Sequence, residues 1–156
     1  SYNLKNVVPL LSEFVEDLTN TYVRFNRQVF WQKSMPLEKQ KAYDTLYYTL
    51  VTFSKVLAPF APFMAEDLYQ NLSKEKESVH LEEFPQFDPS LVDVNLEESV
   101  KVMLNLVELG RNYREQVKLK SKVPLLSVEV LHRKEEVLNE LKKLEGLFKE
   151  ELNVRN

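Results

Sequence analysis

Cysteine is absent from this chain, and only two glycines, Gly110 and Gly146, occur in 156 residues. Without thiols there is no disulfide framework and no thiolate metal site, which is compatible with a cytosolic protein. Two isolated glycines cannot form a phosphate-cradling loop. Their scarcity also argues against a turn-dense sheet fold and for helices. Histidine is nearly missing too. His80 and His132 stand far apart, so no transition-metal site is expected. No apolar run approaches the ~20 residues needed to span a bilayer, and the first residues do not read as a secretory leader. Acidic residues are wholly missing from Leu18 to Leu37, while Arg24, Arg27 and Lys33 fall inside that span.

What remains is 44% hydrophobic and 29% charged, the composition of a soluble globular protein. The length suits one domain or slightly more. The net charge of −3 does not advertise a polyanion partner, but distribution matters more than the sum. Besides the acid-free span, a second basic cluster runs through Arg111, Arg114, Lys118, Lys120 and Lys122, opposed only by Glu115.

Periodicity predicts mainly helix. Leu4, Val8, Leu11, Val15, Leu18, Tyr22, Phe25 and Val29 alternate by four and three, one seam on a helix from about Leu4 to Lys33. Ser34 and Pro36 suit the start of a second helix, carrying Tyr43, Leu46, Leu50, Phe53 and Leu57 and ending at Ala58-Pro59. A third is expected from Pro59 to Leu72, with Phe60, Met64, Leu68 and Leu72 inward. A long connection, Ser73 to Val94, follows. Asn95 reads as the cap of a fourth helix reaching about Glu115, with Val100, Met103 and Val107 inward. Together these predict an antiparallel helical bundle over residues 1–120. Residues 121–156 read as a small β-α-β module: a strand at Leu126, Val128 and Val130, a helix bearing Val137, Leu141, Leu144 and Phe148, and a strand beginning at Leu152-Asn153-Val154. That module looks truncated, and an unpaired edge at 126–131 would favour association.

The first helix carries a feature its core does not require. Arg24, Arg27, Gln28 and Trp31 are spaced i, i+3, i+4, i+7 and share a face, roughly 120° from the apolar seam at about 100° per residue. Arginine neutralises phosphate and stacks on bases, and an indole stacks on any base. Two readings stand open at this point: a nucleic-acid surface, or a tryptophan packed on a neighbouring helix beside solvated arginines. The second cluster has its own plain reading, cations complementing a helix C-terminus. No catalytic constellation emerges. Pairs such as Glu82-Glu83 and Glu150-Glu151 read as solvated surface rather than acid–base pairs. The isolated chain is not expected to be an enzyme.

Several segments together carry a family resemblance. Asn20-Thr21-Tyr22-Val23-Arg24-Phe25-Asn26-Arg27 resembles the N-W-Y-[VI]-R-x-[NS]-R signature of isoleucyl-tRNA synthetases. Leu57 to Tyr69 (LAPFAPFMAEDLY) is similar to the L-A-P-F-x-P-F-x-x-E-x-[IL]-[YW] helix of class Ia synthetases. Ser78 to Pro85 (SVHLEEFP) resembles S-V-H-L-x-x-[FY]-P, and Arg111 to Leu125 the R-x-x-R…K-x-x-P-L stretch. Glu150 to Val154 is similar to a terminal E-E-L-N-V. The matches follow the family's order and cover nearly the whole chain. The sequence departs at Thr21, where the family usually has tryptophan, at Gln28 and Val29, commonly basic there, and at Gln32, often glycine.

The resemblance implies a class Ia anticodon-binding domain recognising the anticodon stem-loop of an isoleucine tRNA, within a cytoplasmic synthetase and away from membranes. Its partners would be that tRNA and the remaining domains of the parent. No cofactor or metal is expected in this piece; ATP and Mg would serve the parent's catalytic domain. The expected tRNA contacts are Arg24, Asn26, Arg27, Phe30, Trp31 and Lys33, with Arg111, Arg114, Lys118, Lys120 and Lys122 as backbone contacts. The departures concentrate that expectation on Arg24, Arg27 and Trp31. The alternatives are a valine or leucine synthetase of the same class, or a helical protein-interaction module using the Arg/Trp face as an anchor.

Overall fold

A computed structural model describes residues 4–73, 75–133 and 135–155. The chain forms two compact units, Ser1–Phe87 and Asp88–Asn156. The mainly helical expectation is borne out, with seven α-helices among the described residues.

In the first unit, α1 (Leu4–Asp17) passes into a wider π-type segment, Leu18–Val23, and the chain turns at Asn26 before a short helix, α2 (Arg27–Phe30). One uninterrupted helix to Lys33 is therefore not what forms. The Thr19 hydroxyl donates to the Val15 carbonyl at 2.8 Å, the kind of side-chain competition that loosens a helical ladder. A π turn adds a residue and shifts the seam's phase. Val8 and Val15, expected inward, are exposed, while Phe14 stacks on Phe53 with centroids 4.9 Å apart.

Helix α3 (Leu37–Leu57) begins after Pro36, whose carbonyl accepts from Gln40 N–H at 3.0 Å. Helix α4 (Pro62–Leu72) starts at the second proline of the Pro59/Pro62 pair, not the first. Ala61 precedes that proline at φ −137° and ψ 70°, outside the helical region as a pre-proline residue prefers. Pro62 then occupies the first turn, where its missing N–H costs little. Helices α3 and α4 pack together. Ala65 and Tyr69, one turn apart, bury against Val79, with Val51, Leu57 and Ala58 alongside. The inward stripe expected on α4 is thus rotated: Met64 is exposed, and Tyr69 is fully buried in its stead.

The connection after α4 is held by polar side chains. The Glu66 carboxylate accepts from Ser78 Oγ and Val79 N–H, both at 2.9 Å. Glu82 accepts from Tyr69 Oη at 2.5 Å and from Lys55 Nζ at 3.1 Å. These bonds hold both carboxyls below their ordinary range, the Val79 N–H leading for Glu66 and the Tyr69 hydroxyl for Glu82. The same bond to Glu82 raises the Tyr69 phenol.

In the second unit, α5 (Val94–Gln116) is capped by Asp93, whose carboxylate accepts from Leu96 N–H at 3.0 Å. The cap lies two residues before the expected Asn95, since a carboxylate acceptor serves a helix N-terminus well. Ser99, Met103, Val107 and Arg114 form its buried side. Helices α6 (Glu135–Lys143) and α7 (Glu145–Leu152) pack on it. A Cβ on Gly110 would stand 2.8 Å from Leu152 Cδ2, so glycine lets α7 approach.

The expected β-α-β module does not form. Among the described residues the sheet geometry reduces to one parallel bridge, Leu125 with Val154. Leu125 N–H donates to Asn153 O at 2.8 Å and Arg155 N–H to Leu125 O at 3.0 Å. The alternating Leu126–Leu131 stretch runs as coil, because alternation alone supplies no neighbouring strand to complete a ladder. The helix expected there is broken into two at Leu144.

Candidate nucleic-acid interface

The acid-free span folds into a surface around α2. Trp31 is 71% exposed. The guanidinium carbon of Arg27 lies 4.2 Å from its ring centroid, a cation–π stack. Trp31 N–H donates to Arg27 O at 3.1 Å, which sets the two residues one turn apart. Arg24, Gln28 and Lys33 are exposed as well. Trp31 therefore does not bury itself against a helix of its own unit.

Asn26 and Phe30 are placed differently. The Asn26 amide donates to Tyr22 O at 2.9 Å and helps hold the turn between the π segment and α2. Phe30 is half-buried, edge-on to Tyr43 at 5.0 Å and to Tyr22 at 6.4 Å. Tyr22 Oη in turn donates to Ala42 O at 2.9 Å, fixing the end of the π segment to α3. These three aromatic rings pack on one another where the π segment, α2 and α3 meet.

Sequence reasoning passed over Lys39. Its ammonium donates to Gln32 O at 2.6 Å and lies 5.8 Å from the Tyr43 ring centroid. It thereby anchors the chain just after Trp31. The signal available was the Lys39–Tyr43 spacing of four on α3.

The second basic cluster separates into two kinds of residue. Arg111 pairs with the Glu151 carboxylate. Arg114 is 4% exposed, and its guanidinium donates to the carbonyls of Lys120 at 3.2 Å, Val123 at 2.9 Å and Leu152 at 2.7 Å. Lys118, Lys120 and Lys122 are exposed. Among the described residues, no group of three or more His, Cys, Asp or Glu side chains is placed to hold a metal ion. No described helix is long and apolar enough to cross a membrane.

Residues 1–130 match the family described as the anticodon-binding domain of tRNA ligase. The chain belongs to this family. The resemblance drawn from the motifs is thereby borne out, and the relatives agree with it. The chain is 54% identical, over 99% of its length, to the isoleucine–tRNA ligase of Bdellovibrio bacteriovorus, and 43% identical over 99% to that of Chlamydia pneumoniae. Similarity to the Thermoplasma acidophilum isoleucine–tRNA ligase is 39% over 93% of the chain. The chain spans only a small part of each of these relatives: 15%, 15% and 14% of their length.

Proposed function

We propose that this domain binds the anticodon stem-loop of an isoleucine tRNA on behalf of a cytoplasmic isoleucine–tRNA ligase. In this reading the parent enzyme activates isoleucine with ATP and Mg and esterifies it to tRNA, and this domain supplies binding rather than chemistry. The observation that carries the reading is the Arg27–Trp31 stack. An exposed indole is costly to keep on a surface, and here a guanidinium covers one of its faces. The other face is free for an unstacked loop base, which single-stranded RNA offers. Arg24 and Arg27 contribute positive charge toward phosphates or base edges, in a sequence stretch, Leu18 to Leu37, that contains no Asp or Glu. Asn26 holds the turn before α2, Phe30 packs α2 on Tyr22 and Tyr43, and Lys33 extends the charge of the surface. Isoleucine rather than valine or leucine is supported by the S-V-H-L and E-L-N-V segments and by the relatives' names.

The test is binding of purified isoleucine and valine tRNA transcripts to the chain across a salt series. Trp31→Ala is expected to weaken isoleucine tRNA binding by about 1–3 kcal/mol, the range for one base–aromatic stack. Unchanged affinity would remove the stack. Neutralising Arg24 or Arg27 should lower the slope of log affinity against log salt by roughly 0.7–0.9 per phosphate contact. Equal binding of the two tRNAs would sink the isoleucine assignment while leaving the RNA surface intact.

A further inference from the structure

The second unit builds a cationic loop on an uncommon backbone. Helix α5 ends with Lys118 N–H donating to Glu115 O at 2.9 Å and Leu119 N–H to Arg114 O at 2.8 Å. This bond pair normally places glycine at the left-handed position between them. Here that position is Lys118, at φ 54°. A side chain in this conformation carries steric strain that glycine would avoid. Helix α7 ends the same way at Asn153, φ 51°, with Asn153 N–H on Glu150 O at 3.2 Å and Val154 N–H on Lys149 O at 2.9 Å.

The two helix ends are then tied to each other. Arg114, buried, reaches the carbonyls of Lys120 and Val123 in the loop and of Leu152 at the end of α7. Asn153 Nδ2 donates to Ser121 O at 3.1 Å, and Val123 N–H closes a turn on Lys120 O at 2.9 Å. The result is a loop whose backbone is held at three carbonyls, those of Lys120, Ser121 and Val123, while Lys118, Lys120 and Lys122 are exposed. No carboxylate occurs from Gln116 to Val128. A loop that only solubilises the surface needs neither a buried arginine to hold it nor a lysine where glycine fits better. A loop that must present several cations together benefits from both, because order present before binding reduces the entropy lost on binding.

We infer that Val117–Val123 is a phosphate-contacting loop and that Arg114 is its positioning residue, acting through backbone carbonyls without touching nucleic acid itself. The inference rests on the tRNA-binding reading above and adds to it a second contact surface and the residue that shapes it.

The experiment measures the salt slope of isoleucine tRNA transcript binding for this chain, with folding followed by circular dichroism and urea unfolding. The variant with Lys118, Lys120 and Lys122 all changed to Gln alters exposed side chains only, and its slope should fall by about 2–3, the sum of three phosphate contacts. Lys118→Gly removes one cation while relieving the backbone, so it should fold at least as well and still lose roughly 0.7–0.9 of slope. Arg114→Lys keeps the charge but cannot span three carbonyls; it should lower the slope although net charge is unchanged. If wild type binds, Arg24→Gln lowers the slope, and the triple and Lys118→Gly variants keep the wild-type slope, the loop is overturned and the tRNA reading stands. If Arg114→Lys remains folded with the wild-type slope, its positioning role is overturned. Should Arg114→Lys unfold, the triple variant decides the loop, and Asn153→Gly, which removes the uncharged tie to Ser121 O, decides whether holding the loop's carbonyls sets the slope; an unchanged slope overturns the positioning role. No binding by wild type removes both readings together.

Discussion

The two units use arginine in opposite ways. In the first, Arg27 lies against an exposed indole at 4.2 Å, and its partner Trp31 faces solvent. In the second, Arg114 is buried and each of three chain carbonyls accepts from it. Both belong to pairs spaced by three residues in the sequence, Arg24/Arg27 across the turn at Asn26 and Arg111/Arg114 on α5. The contrast teaches that spacing reports which residues share a side, while the packing around that side decides whether a guanidinium meets solvent or backbone. A planar fork with five donors suits either task.

That contrast can be broken most strongly at Arg114. Arg114→Met should destabilise the second unit by about 3–5 kcal/mol, since three carbonyls lose a buried charged donor at once. Urea unfolding monitored by far-ultraviolet circular dichroism measures it. Arg27→Met, by comparison, should cost only about 0.5–1 kcal/mol of stability, the worth of an exposed cation–π contact. Similar losses at both positions would erase the distinction drawn here.

A smaller effect is expected in the first unit at Tyr69. Tyr69→Phe keeps the buried ring and removes the hydroxyl that donates to Glu82, for a loss of about 1–3 kcal/mol. Glu82 would retain Lys55, so the connection after α4 should remain in place but melt earlier.

Acid should also act unequally on the segment held by Glu66 and Glu82 and on the loop held by Arg114. Glu66 and Glu82 have folded pKa values lowered by hydrogen bonds to the 78–82 segment and by Tyr69 and Lys55. A lowered folded value means their contribution is fully present above the unfolded carboxylate range and is lost as pH falls through the folded values. The buried Arg114 clasp uses carbonyls, which do not titrate. Hydrogen exchange at pH 7 and pH 3 should therefore show the Ser78–Glu82 amides losing protection before those of Leu119 and Val123. The reverse order would refute the assignment. Lys118→Gly should act with the opposite sign, stabilising the second unit by roughly 0.5–1 kcal/mol as the left-handed position loses its Cβ.

Much of the helical skeleton was legible beforehand, and for local reasons. The stop of α3 at Leu57, next to Ala58-Pro59, is legible in the sequence; Ala58 keeps helical angles, φ −50° and ψ −42°, and Pro59 ends the ladder because it has no N–H to donate. Met103 and Val107 were read inward and are buried. The π segment was not legible, because the seam Leu11, Leu18, Tyr22, Phe25 looks regular whether or not one turn is widened. The rotation of α4 was equally hidden: Ala65 and Tyr69 make a less apolar stripe than Met64 and Leu68, yet Tyr69 finds Glu82 for its hydroxyl. The strand expected at 126–131 failed because a period of two describes one strand, and a strand without a neighbour is coil.

For the surface, the acid-free run and the Arg24, Arg27, Trp31 spacing were written in the chain, as were the motifs that carry its family membership. These are properties of residue type and order, which survive without coordinates. Tertiary structure alone decided which cations stay in water. Burial depends on what the other helices bring to a side chain, and no count along one helix contains that. So Trp31 stands exposed beside Arg27, and Arg114 disappears beneath a loop whose lysines remain outside.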